Sequence, residues 1–204
     1  MDDGTLKEVK KMIHDRQHGR LWVVGSNDTT AKLIDSSYRR FVKLMDDHLS
    51  VSRFLFGEKP SSADFAIYGQ LTQLIGFDPT SRRIASENSL RLVSWVDVMA
   101  DLSGHDVNNS NWTSLEDSPP SLKEIMKEFG QMYVPALLAN AKAIMEGDET
   151  WETEIDGSTW KQKAFPYQAK CLKWIKEEFN TLSKNDKTRI KTFLEGTGCE
   201  AILD

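Results

Sequence analysis

The chain has 204 residues, is 39% hydrophobic and 28% charged, and carries a formal charge of −5. That is enough length for one sizeable core, and the negative balance speaks against a nucleic-acid partner, which calls for clustered Lys and Arg. No apolar run approaches the roughly 18 residues of a membrane span, the opening MDDGTLKEVKK lacks the apolar core of a secretory signal, and cytoplasmic residence with no membrane partner is expected.

Apolar spacing is helical along most of the chain. The two short basic tracts, residues 7–11 and 184–191, are interrupted or flanked by acids and read as solvated helix faces. Asp28 or Thr29 can cap a long helix to about Leu49 with Leu33, Tyr38, Phe41, Val42, Leu44, Met45 and Leu49 on its apolar stripe. Gly57 then marks a turn. The segment KPSSADFAIYGQL opens the next helix. Ser61 can accept from the amide of Asp64, whose carboxylate can reach back to the amide of Ser61, a reciprocal capping box with Asp in place of the commoner Glu. Phe65, Tyr68, Leu71 and Ile75 are expected inward, with Ala63, Ala66 and Gly69 forming a second face for close packing.

Asp78-Pro79 breaks that helix, and another is expected over residues 89–103. Residues 104–120, rich in Asn, Ser and Pro, read as a loop. A long helix is expected from Pro120 to about Glu146, kinked or interrupted at Pro135. The alternating stretch TWETEIDGSTWKQKAF around Asp156-Gly157 predicts a β-hairpin with Ile155 facing Ser158, Thr153 facing Trp160 and Glu152 facing Lys161. Helices over residues 167–182 and 185–195 close the chain. The fold class is therefore all-α in the main, a helical bundle with one hairpin.

Candidate chemistry is sparse. His14 and His18 in HDRQH share a helix face, but no third ligand accompanies them, so no metal site is assigned. No nucleophile elbow, P-loop or dinucleotide fingerprint occurs, and no catalytic residue is assigned. Tyr38-Arg39-Arg40 sets a phenol beside two cations, which suits either an anionic ligand or a salt-bridged helix surface. Trp112, in the polar loop, is a candidate for lining a cleft. Of the two cysteines, Cys171 is expected as a small core residue and Cys199 as the more exposed thiol.

The stretch FLFGEKPSSADFAIYGQLTQL, residues 54–74, resembles the segment that opens the buried central helix in the C-terminal domain of glutathione transferases. The matching positions are Gly57, Pro60, Ser61, Asp64 and Phe65. Residues 1–147 look like that domain. Residues 148–204, with FPYQAKCLKWI and GTGCEAIL, look like the hairpin and helical C-terminal extension of a bacterial branch of the superfamily. The resemblance implies a helical bundle of that domain type, in which Ser61 and Asp64 determine the fold and one wall of an acceptor-substrate pocket is supplied. Tyr38, Arg39 and Trp112, singled out above by their chemistry, are the candidates for contacting such a substrate. Nothing before Asp28 matches the thioredoxin-like domain that binds glutathione. The resemblance thus implies no cofactor held by this chain, glutathione as co-substrate only in a complete transferase, a thioredoxin-like domain or partner subunit, and a possible homodimer. The alternative is a stand-alone, non-enzymatic protein-interaction module of the same fold.

Overall fold

The computed structural model describes residues 2–104 and 112–203. The first helix, α1 (Asp3–His18), is capped by Asp2, which accepts from the Thr5 amide at 2.9 Å, and buries none of its residues. A 3-10 turn, Leu21–Val24, ends at Gly25, whose left-handed φ of 69° and close approach to the Trp160 and Gln162 side chains leave no room for a Cβ. Thr30, fully buried, then donates to the Gly25 carbonyl at 2.6 Å and starts α2 (Ala31–Leu49).

Helix α2 is the spine of the bundle. Its buried stripe is Leu33, Val42, Met45 and His48, and it packs beside α4 (Pro79–Asn88), α5 (Leu90–Ala100) and α6 (Pro120–Met132), with α3 (Ser62–Leu74) joined to the bundle through α4 and α5, around Phe54, Leu71, Leu92, Trp95 and Ile125. The helix α4 was not expected. Asp78, which breaks α3, also caps α4 by accepting from Ser81, with Pro79 at the first helical turn where its missing N–H costs nothing. Ser89 divides α4 from α5: its hydroxyl accepts from the Leu92 amide and donates to Asp46. Helix α5 ends at Ala100, short of the expected Ser103.

The capping box at α3 is complete. Ser61 accepts from the Asp64 amide, and Asp64 accepts from the Ser61 amide at 2.8 Å. A third bond, from the Leu55 amide to Asp64 at 2.9 Å, ties the helix to the preceding loop. It also rotates the helix. Because Asp64 must face inward to reach Leu55, Phe65 is turned about 100° away and lies 49% exposed. Ala66 is exposed as well, and nothing lies within 4 Å of a Cβ built on Gly69. So α3 buries only one side, through Asp64, Leu71 and Ile75, and is not the enclosed helix that its apolar composition suggests.

The expected long helix is two. Pro135 sits in the first turn of α7 (Val134–Glu146), and Tyr133 separates it from α6. Ser121 does not cap α6, which has Pro119 before it and no side-chain cap; its hydroxyl meets Nδ1 of His48 at 2.9 Å instead. The His48 ring is fully buried, with Nε2 3.2 Å from the Phe54 carbonyl. A carbonyl can only accept, so Nε2 carries the proton and Nδ1 accepts from Ser121. Burial lowers the pKa of His48 below its ordinary 6.5. Folding therefore favours the neutral ring, while the unfolded chain takes up a proton as pH falls through about 6.5, so this part of the stability is full above that pH and lost below it. The melting temperature should fall between pH 7 and 5, and His48→Gln should flatten that slope; an equal slope in both proteins would contradict the assignment.

Strands β1 (Thr150–Ile155) and β2 (Ser158–Lys163) pair in the expected register, Glu152 opposite Lys161 and Thr153 opposite Trp160. Asp156 and Gly157 both adopt positive φ, 50° and 69°, the signature of a two-residue turn matched to strand twist. Trp151, Ile155 and Trp160 bury against Leu33 and Ala143, which supplies the apolar cover that an isolated hairpin lacks. Fully buried Asn140 locks this corner: it accepts from Trp151 Nε1 and the Phe165 amide and donates to the Phe165 carbonyl. Helices α8 (Pro166–Thr181) and α9 (Lys184–Leu194, capped by Ser183) and a 3-10 turn, Cys199–Ile202, complete the fold.

Candidate functional site

Where α2, the junction of α6 with α7, β2 and the start of α8 converge, they form a cavity of about 390 Å³ that opens to solvent. Its apolar wall includes Ile34 and Phe41 from α2, Phe129 and Met132 from α6, Ala136 from α7 and Trp160 from β2. These positions come together because Leu33 of α2 and Ala143 of α7 both pack against Trp151, Ile155 and Trp160 of the hairpin.

One carboxylate lies on the wall. Glu128, 7% exposed, falls on the inward stripe of α6, three residues after Ile125. Arg40 binds it through both ends of the guanidinium, Nε to Oε2 at 2.8 Å and the second nitrogen to Oε1 at 3.0 Å, and Ser37 donates to Oε1 at 2.9 Å. Arg40 also pairs with Asp156 at 3.1 Å, so one guanidinium joins α2, α6 and the hairpin turn. A buried charge needs such partners, and a forked, planar cation supplies two at once. The remaining hydroxyl of note is that of Tyr38, which donates to the Ser81 carbonyl at 3.1 Å. Burial first, and Asp78 second, push its pKa up to about 12, so the phenol stays protonated at neutral pH and is no base.

The three residues proposed from the sequence are not gathered here. Tyr38 lines the cavity. Arg39, the next residue on α2, turns outward to an exposed pair with Asp35 at 2.8 Å. Trp112 bridges to Gly57 at the other end of the bundle, 54% exposed, with Lys59 Nζ 5.9 Å from its ring centre. Of the two readings of Tyr38-Arg39-Arg40, the salt-bridged one describes the geometry, since carboxylates occupy both guanidinium groups.

The cysteines exchange their expected places. Cys171 is half-buried, whereas Cys199 is 3% exposed, because the glycines before it fold the chain back onto α6. The Cys199 thiol donates to the Met126 carbonyl at 3.2 Å, and burial raises its pKa. His14 and His18 stack, ring centres 5.8 Å apart, on the exposed α1. No group of three or more metal-ligating side chains occurs among the described residues; His105 lies outside them.

Sequence reasoning missed Glu128, Gln162 and Gln168, while Tyr133 falls on the inward face that apolar spacing gives residues 122–133. Only Glu128 carried a signal, a charge on an otherwise apolar helix face. The others depend on how β2 and α8 meet the bundle. No helix among the described residues is long and apolar enough to cross a membrane. Comparison with family models, curated proteins and solved structures returns no match.

Proposed function

We propose that this chain is the acceptor-substrate half of a glutathione transferase-like protein, a bundle of the C-terminal-domain type with the hairpin and last helices as its extension. The observation that supports the reading is the apolar cavity, whose size suits a small organic molecule and whose single carboxylate is already neutralised by Arg40. The complete capping box at Ser61 and Asp64 accords with the same reading. In it, a thioredoxin-like domain or partner subunit holds glutathione and stabilises its thiolate. The cavity holds the electrophile, and proximity supplies much of the rate.

The described residues offer no comparable cradle for a thiolate. Arg39 and Arg40 are engaged, Tyr38 is locked on Ser81, and the one sheet is a two-stranded hairpin. The isolated chain should therefore bind glutathione more weakly than about 1 mM by calorimetry and conjugate it to a chloronitrobenzene no faster than the uncatalysed reaction. Turnover that disappears in Tyr38→Phe would overturn the division of labour and make this bundle a catalyst in its own right.

A second reading, a protein-interaction module, is favoured by one observation, the open side of α3 with Phe65 49% exposed and Phe77 beyond it 83% exposed. That reading leaves the cavity without a ligand, so saturable binding of small acceptors inside it decides between the two.

A further inference from the structure

The polar groups on the cavity wall fall into two sets. In the first, every group already has a protein partner. Ser37 donates to Glu128, Tyr38 to the Ser81 carbonyl and Gln162 to the Val23 carbonyl, while the Trp160 indole donates to Gln162. The second set holds two side chains, the Tyr133 hydroxyl and the Gln168 amide, for which no hydrogen-bond partner exists among the described residues. They come from different elements, Tyr133 from the break between α6 and α7 and Gln168 from the first turn of α8.

Their position makes them donors in waiting. Tyr133 is 45% exposed, at the boundary between the apolar wall and solvent. Burial, reinforced by the neighbouring Cys171, raises the pKa of its hydroxyl, which keeps its proton at neutral pH. The Gln168 amide brings two N–H groups. A polar group at the mouth of an apolar cavity, wet and without a protein partner, discriminates between ligands, because one that covers it without accepting its hydrogen bond strips its water.

We infer that Tyr133 and Gln168 read a single hydrogen-bond acceptor, a carbonyl-type oxygen, on an otherwise apolar and uncharged ligand. A charged ligand fits poorly. Among the described residues no Lys or Arg is on the lining, and Arg40, the cation bound to Glu128, is also paired with Asp156. A formal charge set against Ile34, Phe41 and Met132 would therefore lose its hydration without a counter-charge. This inference rests on the reading of the cavity as a ligand site.

A matched pair of probes tests it: acetylnaphthalene, which has the oxygen, and ethylnaphthalene, which has the same shape without it. In fluorescence titrations the wild-type chain should bind the ketone about tenfold more tightly. Combining Tyr133→Phe with Gln168→Leu should bring the two probes to parity while the hydrocarbon binds as before, with melting curves showing that the variant folds. No preference in the wild type, or a preference that survives the double substitution, would overturn the inference and leave the cavity reading standing. If neither probe binds, or if filling the cavity with Ala136→Trp leaves binding unchanged, the cavity reading fails and the inference with it.

Discussion

Replacing Asp64 with Ala should destabilise the chain by roughly 3–5 kcal/mol. The carboxylate is fully buried and accepts three bonds, from the Leu55 amide at 2.9 Å, the Ser61 amide at 2.8 Å and the Ser61 hydroxyl at 2.5 Å. Alanine leaves two backbone N–H groups in the core without partners, each costing about 1–3 kcal/mol, and removes a negative charge from the positive end of α3. For a chain of this size the melting temperature should drop on the order of 10 °C. Ser61→Ala should cost only about 1 kcal/mol, because the Ser61 amide still reaches Asp64 and one cap is lost. Equal melting temperatures for the wild type and Asp64→Ala would contradict the account of how α3 starts.

Gly130→Ala should be the second severe change. A Cβ there would overlap the Thr197 carbonyl and crowd the Cys199 amide, both backbone atoms that no rotamer change can move aside. Helix α6 and the C-terminal turn approach this closely because Gly196 and Gly198, both at positive φ, let residues 196–198 bend onto it. Forcing them apart should cost about 3 kcal/mol, the upper end of overpacking. It should also open Cys199, so that the buried thiol reacts with a disulfide reagent in the native state. The same substitution at Gly69 should have the opposite sign, a gain of about 0.5–1 kcal/mol, since that helical glycine has nothing within 4 Å of its Cβ position. Equal losses at the two sites would contradict the packing described.

The features legible in the sequence are those fixed by local chemistry. The Ser61–Asp64 box, the Asp156-Gly157 turn with its register and the interruption at Pro135 each depend on a few adjacent residues. What escaped depends on distant partners. The orientation of α3 is set by a bond from Leu55, nine residues before Asp64. Cys199 is buried because Gly130, far along the chain, lacks a side chain. Tyr38 and Phe41 were legible as part of the inward stripe of α2, but the cavity was not, because its walls come from helices and a strand more than a hundred residues apart; Arg39, next in sequence to Tyr38, faces outward. Helix α4 was missed since Asp78-Pro79 signals both a stop and a start.

If the cavity between α2, α6, α7 and β2 holds a small organic acceptor, the Met132 methyl group on its wall reports on it directly. The measurement is a methyl-resolved NMR titration of the full chain with a chloronitrobenzene, without glutathione. A saturable shift of the Met132 signal is expected, absent in the cavity-filled Ala136→Trp variant and unaccompanied by a shift of Met12 on exposed α1. A Met132 signal that stays fixed, or moves no more than that of Met12, would contradict it.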